Sequence, residues 1–143
     1  GLRMSLVEIK LTVRQFFDDI YNQRNLDSID SLLTPGFVYH ARGEDVEGIE
    51  NFKKWISSDR AAFPDMQFTM VDSIAESGKV ASTFVVEGTH EKEFRGIPAT
   101  NKKFETVGMI VFHFDGNKIK EAWVIVDGLS AALQIGIVKR VQK

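Results

Sequence analysis

The groups most able to do chemistry in this chain are one aspartate, three histidines and a few rings. Asp127 closes a long apolar run that starts near Val107 and folds back at Asp115-Gly116-Asn117, where the Asp-Gly pair is a strong hairpin signal. Alternation along the second strand puts Trp123, Ile125 and Asp127 on one face and Ala122, Val124 and Val126 on the other. A carboxylate in that setting is costly unless it is solvated, hydrogen-bonded or used. At the wall of an apolar pocket, desolvation would disfavour its ionised form and suit it to proton transfer at a carbon beside a carbonyl. Standing before Gly128-Leu129-Ser130, it can equally cap a last helix.

The face of His113 depends on the hairpin register. A two-residue loop pairs it with Lys120, away from Trp123, whereas a three-residue loop pairs it with Ile119, on the face of Trp123. His40 and His90 end strands and are placed to rim a pocket, either holding a substrate oxygen or bonding a loop carbonyl. Tyr21 and Tyr39 are the only phenols, and a buried phenol must find a partner, so they are candidate oxyanion donors. Trp123, by its face, is better placed than Trp55 to stack on a ligand. With Phe63 it completes a candidate binding set of His40, His90, Tyr39, Trp123 and Phe63. No H-x-x-x-H or H-x-E spacing calls for a metal, and neither a phosphate-cradling glycine loop nor G-x-S-x-G is present.

Helices come first in the chain. Ser5 and Glu8 form a capping box ahead of Ile9, Val13, Phe16, Phe17 and Ile20 at helical spacing, with the helix ending near Asn22. A second short helix carries Leu26, Ile29, Leu32 and Leu33 and stops at Thr34-Pro35-Gly36, before a short strand Phe37-Val38-Tyr39-His40. A polar loop from Ala41 to Glu47 leads to a third helix marked by Ile49, Phe52, Ile56 and Phe63 and ended by Pro64. Period-two strands follow over 67–75, 79–90, 103–114 and the last strand to Asp127, then a short helix from Leu129 to Ile135. Helices followed by long strands predict an α+β fold, a curved, mixed or antiparallel sheet rolled into a cone over three helices. Apolar residues on the uncovered face, among them Val85, Val107 and Ile110, predict a homodimer through that face.

The 143 residues suit one domain over 1–143, with residues 1–4 set aside as an expression remnant or a disordered start. A net charge of -2 with scattered Lys and Arg argues against nucleic acid as a partner, and no apolar run reaches membrane-spanning length. The lack of cysteine removes disulfides, thiolate metal sites and a thiol nucleophile, and fits a reducing cytoplasm. Phe, with 11 copies, points to an aromatic interior or pocket.

Several spans carry a resemblance in order and spacing: Phe63-Pro64-Asp65, Gly88-Thr89-His90, Phe94-Arg95-Gly96-Ile97-Pro98-Ala99-Thr100, Asp115-Gly116-Asn117 through Trp123 to Asp127, and Gln134-Ile135-Gly136. Together they resemble the SnoaL-like polyketide cyclases, in the superfamily of nuclear transport factor two and ketosteroid isomerase. The resemblance implies a cystatin-like α+β cone. It also implies a polyketide or ester cyclase type of lyase or isomerase that works without cofactor on a hydrophobic, carbonyl-containing molecule by aldol-type cyclisation or isomerisation. Asp127 would be its acid/base and His113 its helper. A non-catalytic dimeric binding protein and a ketosteroid-isomerase-like enzyme are the other expectations. Lys92, Ala99 and Asn101 depart from the family's usual glycine, proline and glycine near the pocket mouth, and Ala122 and Val124 replace its usual polar residues, so substrate identity is where this chain should differ.

Overall fold

A computed structural model describes residues 5–141; the expectation for residues 1–4 falls outside them. Ser5 caps helix α1 (Leu6–Gln15), its hydroxyl accepting from the Glu8 N–H at 3.1 Å. The chain continues into wider π-helical turns over Phe16–Asn22, which bury Phe16, Phe17, Ile20 and Tyr21 against the core. A 3-10 turn (Leu26–Ser28) and a single α-turn α2 (Ile29–Leu32) follow.

The second helix is shorter than its sequence suggested, because strand β1 (Leu33–Ala41) starts before Thr34-Pro35-Gly36 instead of after it. The ladder between β1 and the strand Lys118–Val126 shifts register between Leu33 and Val38, so Pro35 lies where the pairing is irregular. The expected polar loop also contains a strand. Arg42-Gly43 turns the chain into β2 (Glu44–Glu47), which pairs with β1. Helix α3 (Ile49–Ala62) precedes β3 (Gln67–Glu76), β4 (Lys79–Thr89), β5 (Lys103–Asp115), β6 (Lys118–Val126) and α4 (Gly128–Ile135).

The six strands form one curved sheet in the order β2-β1-β6-β5-β4-β3. Only β1 and β6 run parallel; the other neighbours are antiparallel. The helices cover the inner face, where Phe84, Ile110, Phe112 and Ala122 are fully buried. Ile110 was expected on the uncovered face, yet alternation along β5 sends it inward with Phe112 and leaves Val107, Met109 and Val111 outside. Gly108 is required at its place, since a Cβ there would stand 2.4 Å from the Phe84 ring. No described helix is long and apolar enough to cross a membrane.

Candidate functional site

Six phenylalanines, Phe16, Phe17, Phe37, Phe52, Phe84 and Phe112, fill the closed end of the cone. At the wide end the inner faces of β3 to β6, the end of α3 and α4 diverge around a cavity of about 730 Å³. Phe63, Phe68, Phe94, Phe104 and Val124 form its apolar wall, and the small side chains of Ala131 and Ala132 on α4 leave it open. A cavity of this size takes a multi-ring small molecule.

A tryptophan-backed ion pair stands on that wall. Arg42, from the β1–β2 turn, reaches Asp59 on α3 with Nη2 2.8 Å from Oδ1. The Asp59 side chain is 19% exposed. The Arg42 guanidinium also lies 4.3 Å over the Trp55 ring, so an aromatic face and a carboxylate fix it together. Asp59 carried a signal in the sequence: it falls on the helical stripe set by Phe52, Ile56 and Phe63, where an acid requires a partner. Arg42 sits in a turn, where no periodicity marks it.

Phe63 lines the cavity from within, whereas His40 and Trp123 border it only at its open rim, because both lie on the outer sheet face. His40 is nevertheless committed: Nε2 lies 2.6 Å from Glu121 Oε2 and Nδ1 2.6 Å from Asp45 Oδ1, and the ring stacks on Trp123 at 5.0 Å. Its bonds to Glu121 and then to Asp45 hold the imidazole pKa above the usual value, and through them His40 clamps β1, β2 and β6 together. Among the described residues no three such side chains are placed to hold a metal ion.

Asp127, expected at the pocket, is exposed and is absent from the cavity wall, although Val126 and Gly128 on either side belong to it. Its Oδ1 accepts from the Ser130 N–H at 3.0 Å and caps α4. The capping alternative is the one seen, with Oδ1 on the helix N-terminus and the carboxylate outside the cavity wall. His113 shares the face of Trp123, with ring centroids 4.5 Å apart, but that face is the outer one. The loop has two residues, Gly116 and Asn117; a bulge between His113 and Phe114 pairs His113 with Glu121 and thereby restores the face that a longer loop would have given. Burial and the nearby Lys79 lower the His113 pKa.

Tyr39 and His90 lie one layer behind the wall. The Tyr39 hydroxyl meets that of Tyr21 at 2.6 Å, and burial pushes both phenols well above their usual pKa. His90 Nδ1 accepts from the Thr100 N–H at 3.3 Å; its ring packs on Phe63 at 5.4 Å, and its buried Nε2 has no partner.

A sequence profile for the SnoaL-like polyketide cyclases matches residues 11–135. A proposed SnoaL-like polyketide cyclase from Jannaschia sp. CCS1 superposes with a TM-score of 0.85 at 21% identity, over 96% of this chain and 99% of its own. IdmH, a proposed polyketide cyclase from Streptomyces antibioticus, gives 0.79 at 27% identity, over 90% and 98%. AclR, a proposed hydroxylase from Streptomyces galilaeus, gives 0.83 at 24% identity, over 97% and 87%, so one fold accompanies different assigned chemistries. No curated protein matches.

Proposed function

The chain belongs to the SnoaL-like polyketide cyclase family, and from that premise we propose that it binds an apolar, carbonyl-bearing small molecule in the wide-end cavity and moves protons on it with its own side chains. The observation that carries this reading is the Arg42–Asp59 pair, fixed on the wall of an aromatic cavity. Asp59 takes a proton from the carbon beside a ligand carbonyl and Arg42 steadies the enolate oxygen. The proton then goes to the alkoxide formed as the enolate carbon closes a ring on a second carbonyl, or back to a different carbon as a double bond moves. Asp59 is the better acid/base candidate than Asp127 because its carboxylate lines the cavity, whereas Asp127 is absent from the lining.

Exchange tests this directly. In D2O the wild type should catalyse deuterium entry at C2 of 1-tetralone, read by mass spectrometry. Asp59→Asn should slow that entry by about 100-fold or more, the least that a general base contributes. A folded Asp59→Asn protein that exchanges at the wild-type rate would remove Asp59 from the mechanism. One observation favours a second reading, a binding protein without catalysis: Asp59, Glu44 and Asp45 on the cavity wall each already face a cationic side chain. Tight binding of the ketone with no exchange by the wild type would be its signature.

We also propose that a second copy of the chain covers the outer sheet face. Val107, Met109 and Ile125 are 58%, 65% and 77% exposed, and the register sets Met109 beside Ile125 and Val111 beside Trp123 in one continuous patch. Sedimentation should find a dimer that Met109→Glu converts to monomer; a monomeric wild type would refute it.

A further inference from the structure

Two turns meet over one tryptophan at the cavity mouth. The Arg42 and Arg95 guanidiniums stand 4.3 and 5.0 Å from the Trp55 ring centroid, and 5.3 and 5.7 Å from that of Phe94. Both arginines hold left-handed backbone, φ 51° and 49°, as the first residues of tight two-residue turns completed by Gly43 and Gly96, so each guanidinium is carried by a short, closed turn. Two like charges around one aromatic pair repel each other, so each needs an anion. Arg42 has the half-buried Asp59. Among the described residues Arg95 has only Glu44, through a single contact of Nη2 to Oε2 at 3.2 Å, with the two side chains 47% and 55% exposed. Such a solvated pair contributes little and is readily exchanged. The neighbouring Glu93 is engaged elsewhere, its Oε1 accepting from the Gly96 N–H at 3.0 Å.

Successive residues of this turn face two ways: Phe94 enters the cavity wall and packs on Phe63 at 5.2 Å, while Arg95 stands outside the lining and adjoins it through the Phe94 ring and Glu44. A flat ring against Phe94 and Phe63 therefore brings a substituent at its edge to the Arg95 fork, whose planar geometry suits a carboxylate. We propose that Arg95 is a specificity residue that selects ligands bearing a free carboxylate at the rim of an aromatic body, with the Glu44 carboxylate holding that place until the ligand displaces it. The inference rests on the cavity being the ligand site.

Binding of 2-naphthoate and of its neutral counterpart 2-naphthamide, followed by calorimetry at pH 7.5, tests it. Wild type should favour naphthoate by about 10-fold, a usual size for one charge-assisted bidentate contact. Arg95→Leu should bring the ratio of naphthoate to naphthamide affinity to about one. Glu44→Gln should raise that ratio several-fold above the wild-type value by removing the internal competitor. Circular dichroism checks that both exposed-site variants fold. Equal binding of the two probes by wild type, or a preference that survives Arg95→Leu, overturns the carboxylate assignment while the cavity reading stands. Binding of neither probe overturns both.

Discussion

At the closed end of the cone Phe16 meets Phe112 at 5.1 Å and Phe52 at 6.2 Å, and none of the three is exposed. At the wide end Phe63 meets Phe94 at 5.2 Å and Phe104 at 5.5 Å, equally close, yet a cavity opens beside them. The side chain is the same, and what differs is the opposite wall. The closed end is faced by the π-helical turns, which deliver Phe16, Phe17, Ile20 and Tyr21 within six residues. The wide end is faced by α4, which offers Ala131 and Ala132. An aromatic wall packs or binds according to the bulk set against it.

Phe112→Ala and Phe94→Ala should therefore separate stability from binding. The first should lose about 3–5 kcal/mol in urea unfolding, as large core truncations do. The second should lose less than about 1 kcal/mol, yet weaken aromatic ligands measurably by calorimetry. Equal losses would mean that the wide end is core as well.

A smaller effect is expected at Asp127. Asp127→Ala should cost about 1 kcal/mol by removing the α4 cap, and Asp127→Asn, which still accepts a hydrogen bond, should be near neutral. Neither should change ketone exchange beyond what loosening of α4 against the cavity explains. Loss of exchange in a fully stable Asp127→Asn protein would return the catalytic role to the terminal strand.

The smallest effect concerns pH at the rim. His40 has a raised folded pKa, so the stability from its bonds to Glu121 and Asp45 is present below the unfolded value near 6.5 and is lost as pH rises through the folded value. His40→Ala should accordingly cost up to about 1 kcal/mol at pH 6 and almost nothing at pH 9.5. His113, with a lowered pKa, should oppose folding as pH falls below the unfolded value. Imidazole NMR titrations should place His40 above and His113 below the ordinary midpoint; a reversed order would contradict both environments.

Much of this architecture was legible from periodicity. The stripe Ile9, Val13, Phe16 and the alternation through β4, β5 and β6 identified the helix and strands, because burial dictates pattern. Thr34-Pro35-Gly36 misled because Pro and Gly mark an irregular ladder as readily as a turn. The site was harder to read. Alternation correctly grouped Trp123, Ile125 and Asp127, but which face is inner depends on where α1 and α3 pack, and no single strand records that. Asp59 was visible as an acid on a buried helical stripe, whereas Arg42 and Arg95 occupy turns whose meeting is a property of the finished fold.

The parallel pairing of β1 with β6 sets Tyr39 beside Ala122, joining segments from opposite ends of the chain. A ribosome must therefore deliver the chain past Val126 before the first hairpin gains its flanking partner. Until then the inward edge of β1 waits with open amides, a nascent surface that chaperones would be expected to shield and that links assembly of the cavity's rim to the arrival of β6.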